Sequence, residues 1–273
     1  MRFAKTTHGK IHYRIKGDGP PLLLIRGLGR WSAHWCGWDD LLAKSCTVIT
    51  LDNRGLGLTS SPMRFWHSLG DLAADAATIL QQERINSAHI LGTSLGGMVS
   101  LVFAMKHSEM TSSLSVIAAS VGRSGHPRIS MKAAKMLATA PILGDKIYDE
   151  LATLLTSPKT ADATRKKLAD EWREEDRRYK QPIATVVAQL IAVLRFRRWE
   201  NLEKIKCPTQ VIVGADDLFV PRGNSLFIHS AIPASKLIEV PAAGHEPHVD
   251  QPDVMTDIVC RFINETASSQ HSR

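Results

Sequence analysis

Ser94, His245 and one acid of the adjacent pair Asp216 and Asp217 are residue types that together perform nucleophilic acyl transfer. A serine hydroxyl attacks a carbonyl at neutral pH only when a base within hydrogen-bond reach takes its proton. An imidazole does this and later returns the proton to the leaving group, while a carboxylate behind it fixes the tautomer and stabilises the imidazolium. Ser94 lies in Gly92-Thr93-Ser94-Leu95-Gly96, between a short apolar run at 87–91 and a run at 98–106 with apolar residues at helical spacing. A serine in the sharp turn between a strand and a helix is a nucleophile elbow, and its flanking glycines let the two elements approach closely. The two acids end a β-branched run at 209–213, and His245 follows Gly244 after the run 236–240. All three candidates therefore fall just past the carboxyl ends of predicted strands, which share one face of a parallel sheet.

The elements that must position them follow from the hydropathy pattern. Residues 10–16 alternate apolar and polar, as an antiparallel strand with one wet face does, and Gly17-Asp18-Gly19-Pro20 turns the chain. Continuous apolar runs at 22–25, 48–51 and 114–117, separated by helical stretches such as 69–82, predict parallel strands covered on both faces by helices. The expected class is α/β, with a mostly parallel central sheet. A length of 273 residues, 44% of them hydrophobic, suits one such domain with chain left over. Between 120 and 207 there is no convincing strand and there are several helical patterns. Four scattered cysteines, Cys36, Cys46, Cys207 and Cys260, argue against a zinc site or a disulfide framework and are read as reduced. No apolar run approaches the ~20 residues needed to span a bilayer, and the amino terminus lacks the apolar core of a signal peptide, so a cytoplasmic enzyme without integral membrane association is expected.

The chain resembles the α/β-hydrolase superfamily, in its lidded esterase-like branch. The resemblance rests on Arg26-Gly27-Leu28-Gly29 after the run 21–25, on Asp52-Asn53-Arg54-Gly55-Leu56-Gly57, on the elbow, on the Gly-x-x-Asp-x-x-Val-Pro of 214–221, and on Gly244-His245. It implies a core formed by residues 1–121 and 201–273, with a helical lid inserted at 122–200. It also implies that Ser94, Asp217 and His245 are the catalytic residues, Asp217 being preferred to Asp216 because the motif places its acid three residues before Val-Pro. The oxyanion of the reaction would be held by the backbone N–H groups of Leu95 and Leu28. Asp52 and Arg54 are expected to hold a loop, and His34 and His248 to be packing or loop residues. The family usually carries His-Gly where this chain has Arg26-Gly27, so Arg26 is a candidate for binding an anionic substrate group. Trp31, in a cluster with Trp35 and Trp38, is a candidate for lining an acyl pocket.

The implied chemistry is ester hydrolysis without metal or organic cofactor. Residues 123–200 hold 16 Lys and Arg against 10 Asp and Glu, a net +6 of the whole chain's +7. Basic clusters at 165–167, 177–178 and Arg195-Phe196-Arg197-Arg198 flank the apolar stretch 183–194, which would roof the pocket. Three readings stay open for that charge: a solvated helical face, an anionic lipid surface met by 183–194 as an interfacial helix, or an acidic acyl carrier protein docked on Arg195, Arg197 and Arg198. The last would suit an enzyme similar to the pimeloyl-carrier-protein methyl ester esterases of biotin synthesis. Nucleic acid is the weakest candidate, since aromatic residues are few and no binding motif is present. Rival readings on the same fold are a carbon–carbon bond hydrolase of ring-cleavage products, a cofactor-free haloperoxidase-like enzyme, and a ligand-binding protein without turnover.

Overall fold

A computed structural model describes residues 1–121, 128–179, 182–196 and 198–271. Along the chain run β1 (Arg2–Thr6), β2 (Gly9–Lys16), β3 (Pro21–Ile25), α1 (Trp38–Leu42), β4 (Thr47–Leu51), α2 (Leu69–Gln82), β5 (Ala88–Thr93), α3 (Leu95–Lys106) and β6 (Thr111–Ile117). They are followed by α4 (Met131–Leu143), α5 (Lys146–Leu155), α6 (Asp162–Tyr179) and α7 (Ile183–Arg195). The chain then returns to the sheet through β7 (Thr209–Gly214), α8 (Gly223–Ala231), β8 (Ser235–Val240), α9 (Pro247–Asp250) and α10 (Pro252–His271).

The eight strands form one sheet in the order β1-β2-β4-β3-β5-β6-β7-β8. Strands β3 to β8 are mutually parallel, and β1 and β2 pair antiparallel at one edge. The two-residue period of a strand shows directly in β3. Leu23 and Ile25 enter the core under α2 and α3, whereas Leu22 and Leu24 enter the core under α1 and α10. A parallel sheet buried on both faces needs this doubly apolar pattern, which explains the continuous runs in the sequence.

Two differences from the sequence reading have local causes. β1 was not expected; it pairs with β2 through Phe3↔His12 and Ala4↔Ile11 and is too short and too polar to show a pattern of its own. The wet face expected of β2 is interrupted at His12, which is 1% exposed because its Nδ1 hydrogen-bonds Asp52 Oδ2 at 2.8 Å. Burial of this histidine is supported by that one hydrogen bond to a carboxylate.

β3 is flanked by β4 on one side and β5 on the other, so the chain leaves its neighbours in opposite senses. The carboxyl ends of β3 and β5 thus border a crevice at the topological switch point, where ligands bind in open α/β sheets. Helices α4 to α7 are inserted between β6 and β7; α4, α5 and α6 carry a small core of their own, including Ala133, Leu154, Leu155, Leu168 and Trp172, while α7 packs into the main core through Ala188 and Ala192. Phe219 and Val220, from the loop after β7, complete that core and join the insertion to the crevice. Among the described residues no helix is long and apolar enough to cross a membrane.

Candidate active site

Ser94 stands between the end of β5 and the first residue of α3 with φ 55° and ψ −119°. This left-handed region is costly for a residue with a β-carbon, about 1–3 kcal/mol, and such strain concentrates at functional sites. The backbone is held there by the Ser94 N–H donating to Ile117 O at 2.8 Å and by tight packing of the flanking glycines. A β-carbon on Gly96 would lie 2.0 Å from Ile25 O, and one on Gly92 would lie 2.1 Å from Gly96 O. The elbow therefore needs glycine at both positions for strand and helix to meet.

The Ser94 side chain opens into a cavity of about 100 Å³. Leu28, Leu95 and Met98 form its floor, Leu190, Val193 and Leu194 of α7 its roof, and Ile129, Leu137, Phe219 and Val220 its walls. Ser120 and Arg128 are the other polar residues on its lining. Leu95, as the first residue of α3, has an amide without a partner inside the helix. The helix dipole adds to the attraction of that end for negative charge. Leu28 lines the cavity from the turn after β3, and the neighbouring Gly29 N–H is taken at 2.9 Å by Gln189 Oε1 of α7.

Asp217 and His245 are brought together from the loops after β7 and β8. Asp217 Oδ2 is 2.9 Å from His245 Nδ1, while its Oδ1 accepts from the backbone N–H groups of Phe219 at 2.8 Å and Val220 at 2.9 Å. Asp216 turns the other way and accepts from Ser157 Oγ at 2.6 Å. Burial pulls the His245 imidazole down, but the charge and hydrogen bond of Asp217 outweigh it, leaving His245 above its ordinary value. The Phe219 ring, on the wall of the Ser94 cavity, lies 4.8 Å from the His245 ring. Among the described residues no direct hydrogen bond joins Ser94 Oγ to His245; such contacts are often loose in an unliganded site and tighten on binding.

Arg26 differs from its expected place. It is fully buried, and its guanidinium makes a bidentate pair with Glu246, Nη1 to Oε2 at 2.8 Å and Nη2 to Oε1 at 3.0 Å, with the Trp35 ring 4.7 Å away. A buried guanidinium must be paired, and the acid beside the candidate base supplies the partner. Arg26 is therefore not on the cavity lining and offers no charge to a substrate there. Glu246 is driven down to about 2, because the attraction of Arg26 exceeds the upward push of burial. His248 completes the cluster with its Nε2 3.3 Å from Glu246 Oε2, and burial drives it down to about 3, so it is a neutral packing histidine between Trp35 and Trp38.

Trp31 also departs from expectation, since it is buried edge-on against His34 at 4.1 Å and away from the cavity. Asp52 and Arg54 hold loops: Asp52 binds His12 and the N–H groups of Ser32 and Leu58, and Arg54 pairs with Asp75. Arg195 donates to Phe65 O at 2.7 Å on the surface. Arg197 and the side chain of Arg198 lie outside the described residues. Gln189, Glu246 and Arg128 were not singled out from sequence. Only for Glu246 was there a signal, in that a cation inside the glycine turn demands a buried acid.

The insertion is stitched to the histidine loop. Leu155 O accepts from the Glu246 N–H at 2.9 Å, and Asp250 Oδ2 accepts from both Ser157 N and Gly244 N. A β-carbon on Gly244 would meet Thr156 C at 2.5 Å, which is why a glycine precedes His245.

With the geometry in place, comparison with known proteins adds the following. Residues 22–258 match the profile described as the alpha/beta hydrolase family. The chain is 25% identical to the "Putative carbamate hydrolase RutD" of Azorhizobium caulinodans, over 97% of this chain and 99% of that one. Among solved structures it is similar to the enol-lactonase from Burkholderia xenovorans LB400, with a TM-score of 0.81 and 21% identity over 96% of this chain and 100% of that one. A thermophilic esterase from Thermogutta terrifontis superposes with a TM-score of 0.80 and 21% identity, over 97% and 98% of the two chains.

Proposed function

The chain belongs to the alpha/beta hydrolase family, and on that premise we propose that it is a serine hydrolase cleaving a small carboxylic ester through an acyl-enzyme. Ser94 is the nucleophile, His245 the base and Asp217 the acid that orients the base. The observation that carries this reading is the strained Ser94 at the floor of an apolar cavity, with the Asp217–His245 pair on the adjoining loops.

In this mechanism Ser94 Oγ bonds to the ester carbonyl carbon as His245 takes the serine proton. The carbonyl π electrons move to oxygen, and the Leu28 and Leu95 N–H groups stabilise the oxyanion. Collapse of the tetrahedral adduct breaks the bond to the alkoxy oxygen, which leaves as the alcohol with the proton from His245. Water then attacks the acyl-enzyme, giving its proton to His245, and the same steps in reverse order release the acid and free Ser94. Residues 122–200 act as a lid over the core formed by 1–121 and 201–273, with α7 as the roof. An apolar wall of this size favours a short, uncharged acyl group.

The charge count overstated the case for an acidic carrier protein. Lys166 is paired with Asp170, Lys167 with Glu171, Arg173 with Asp149 and Asp170, and Arg177 with Asp145, all within the insertion. In this reading the substrate is a free small molecule. A carbamate presents the same carbonyl to Ser94, and the name of the curated relative makes it the second substrate class.

The test is labelling with a serine-directed fluorophosphonate, followed by turnover of p-nitrophenyl esters of increasing acyl length, simple carbamates, a ring-cleavage dienoate and a carrier-linked methyl ester. We expect an adduct on Ser94, fastest turnover of short esters, and loss of about 10⁶ in kcat in Ser94→Ala. Turnover unchanged in Ser94→Ala would overturn the mechanism, and faster cleavage of carbamate, dienoate or carrier-linked ester would overturn the substrate class.

A further inference from the structure

The mouth of the Ser94 cavity carries a surface that the hydrolytic reading does not use. Of the twelve large apolar side chains exposed among the described residues, seven lie in three short segments, the loop 60–68, α4 and α7. On α7, Ile183, Val187, Leu190 and Leu194 recur at i, i+4, i+7 and i+11 and form one stripe. The opposite face, with Ala188, Gln189 and Ala192, is the one buried against the core. On α4, Met131 and Ile142 are exposed at the two ends of the helix, 87% and 83%, with Lys135 and Ala138 between them on the same face. Trp66 is 72% exposed and Ile183 76%.

The three segments meet at the mouth by one end each. Leu194 is both exposed and on the cavity lining, Arg128 donates to Leu194 O and Phe196 O, and Arg195 donates to Phe65 O. An apolar stripe on α7 with three exposed members, two exposed apolar side chains at the ends of α4 and an exposed tryptophan exceed what a surface helix carries by chance.

Charge identifies the occupant. Residues 60–68, 128–143 and 182–196 contain Arg64, Arg128, Lys132, Lys135 and Arg195 and no Asp or Glu. The acids of the insertion sit on and around α5 and α6, where they pair with its other cations. A second copy of this chain would bring five cations against five, so self-association on this face is repelled. An apolar stripe rimmed only by Lys and Arg is instead the pattern of an interfacial helix on an anionic lipid surface.

We propose that α4, α7 and the Phe65-Trp66 loop dock peripherally onto a membrane leaflet bearing anionic headgroups. Trp66, Ile183, Met131 and Ile142 enter the headgroup–acyl boundary, and Lys132, Lys135 and Arg64 face the headgroups. Docking sets the cavity mouth against lipid, so that an apolar ligand passes to Ser94 without crossing water. The surface is independent of the serine chemistry.

The experiment is sedimentation of the full chain with phosphatidylcholine vesicles and with vesicles of phosphatidylcholine and phosphatidylglycerol in equal parts, at low and high salt. Binding to the anionic vesicles alone, weakened by salt, is expected. Each cation near such a leaflet contributes roughly fivefold to binding, so Lys132→Glu/Lys135→Glu should weaken it by about thirtyfold or more. Trp66→Ser/Ile183→Ser should weaken it by about tenfold. Both pairs are exposed and off the cavity lining, and turnover of a soluble ester should not change. Ser94→Ala should bind vesicles as the wild type does, which separates failure of docking from failure of the hydrolase reading. The proposal is overturned by absence of binding to anionic vesicles, by equal binding to both vesicle types, by insensitivity to the substitutions, or by capture of an acidic soluble protein on this face without vesicle binding.

Discussion

At the scale of single residues, the choice between two adjacent acids shows how much depends on direction. Asp216 and Asp217 are the same side chain one position apart, yet one binds Ser157 of the insertion and the other His245. Because Asp217 holds the imidazole above its ordinary value, and the base must be neutral to accept the serine proton, kcat/KM should rise with pH along a limb lying above about 6.5. Asp217→Asn should lower that limb and cut kcat by about 10⁴, while Asp216→Asn should leave the limb in place. A pH–rate profile of the three proteins checks this, and an unmoved limb in Asp217→Asn would remove Asp217 from the role.

At the scale of elements, packing creates neighbours that spacing in the sequence hides. The four cysteines look isolated along the chain, but α10 packs beside the start of β4 and sets Cys260 in the same core cluster as Cys46. The neighbouring Cys46 thiol favours the Cys260 thiolate and pulls Cys260 below the usual thiol range, whereas burial pushes Cys36 up to about 12. Cys260 is half-buried on a surface groove. With iodoacetamide near neutral pH, Cys260 should therefore be alkylated first and Cys36 last, as read by peptide mass spectrometry. Cys46→Ala, which removes the partner, should slow the Cys260 reaction.

At the scale of the whole molecule, the Arg26–Glu246 pair joins two loops that the sheet alone would leave independent. Arg26 is two residues before Leu28, and Glu246 follows His245, so one buried bidentate contact spans the oxyanion side and the base side of the site. Removing one partner strands a buried charge, at a cost of about 3–5 kcal/mol. Glu246→Gln should show that loss in urea unfolding near neutral pH, and Arg26→Met/Glu246→Gln should recover most of it. The Glu246 carboxyl is lower in the folded chain than its ordinary value near 4.5, so its contribution is complete above that pH and is lost as pH falls towards about 2. Acid unfolding of wild type should therefore be steeper across that window than that of the double variant.

The sequence by itself determined the class of fold, the placement of the candidates just past strand ends, and the three residues proposed for chemistry. Those features are written in local signals: continuous apolar runs for buried strands, glycines where Gly96 and Gly244 allow backbone to approach backbone, and polar residues at strand ends. Tertiary structure alone decided what lies across space. Whether Arg26 meets substrate or Glu246, whether Trp31 lines the cavity or packs on His34, and which cations of the insertion are already paired depend on contacts between residues up to 220 positions apart. A charge or ring acts through its surroundings, and periodicity reports only which face a residue occupies, not what stands opposite.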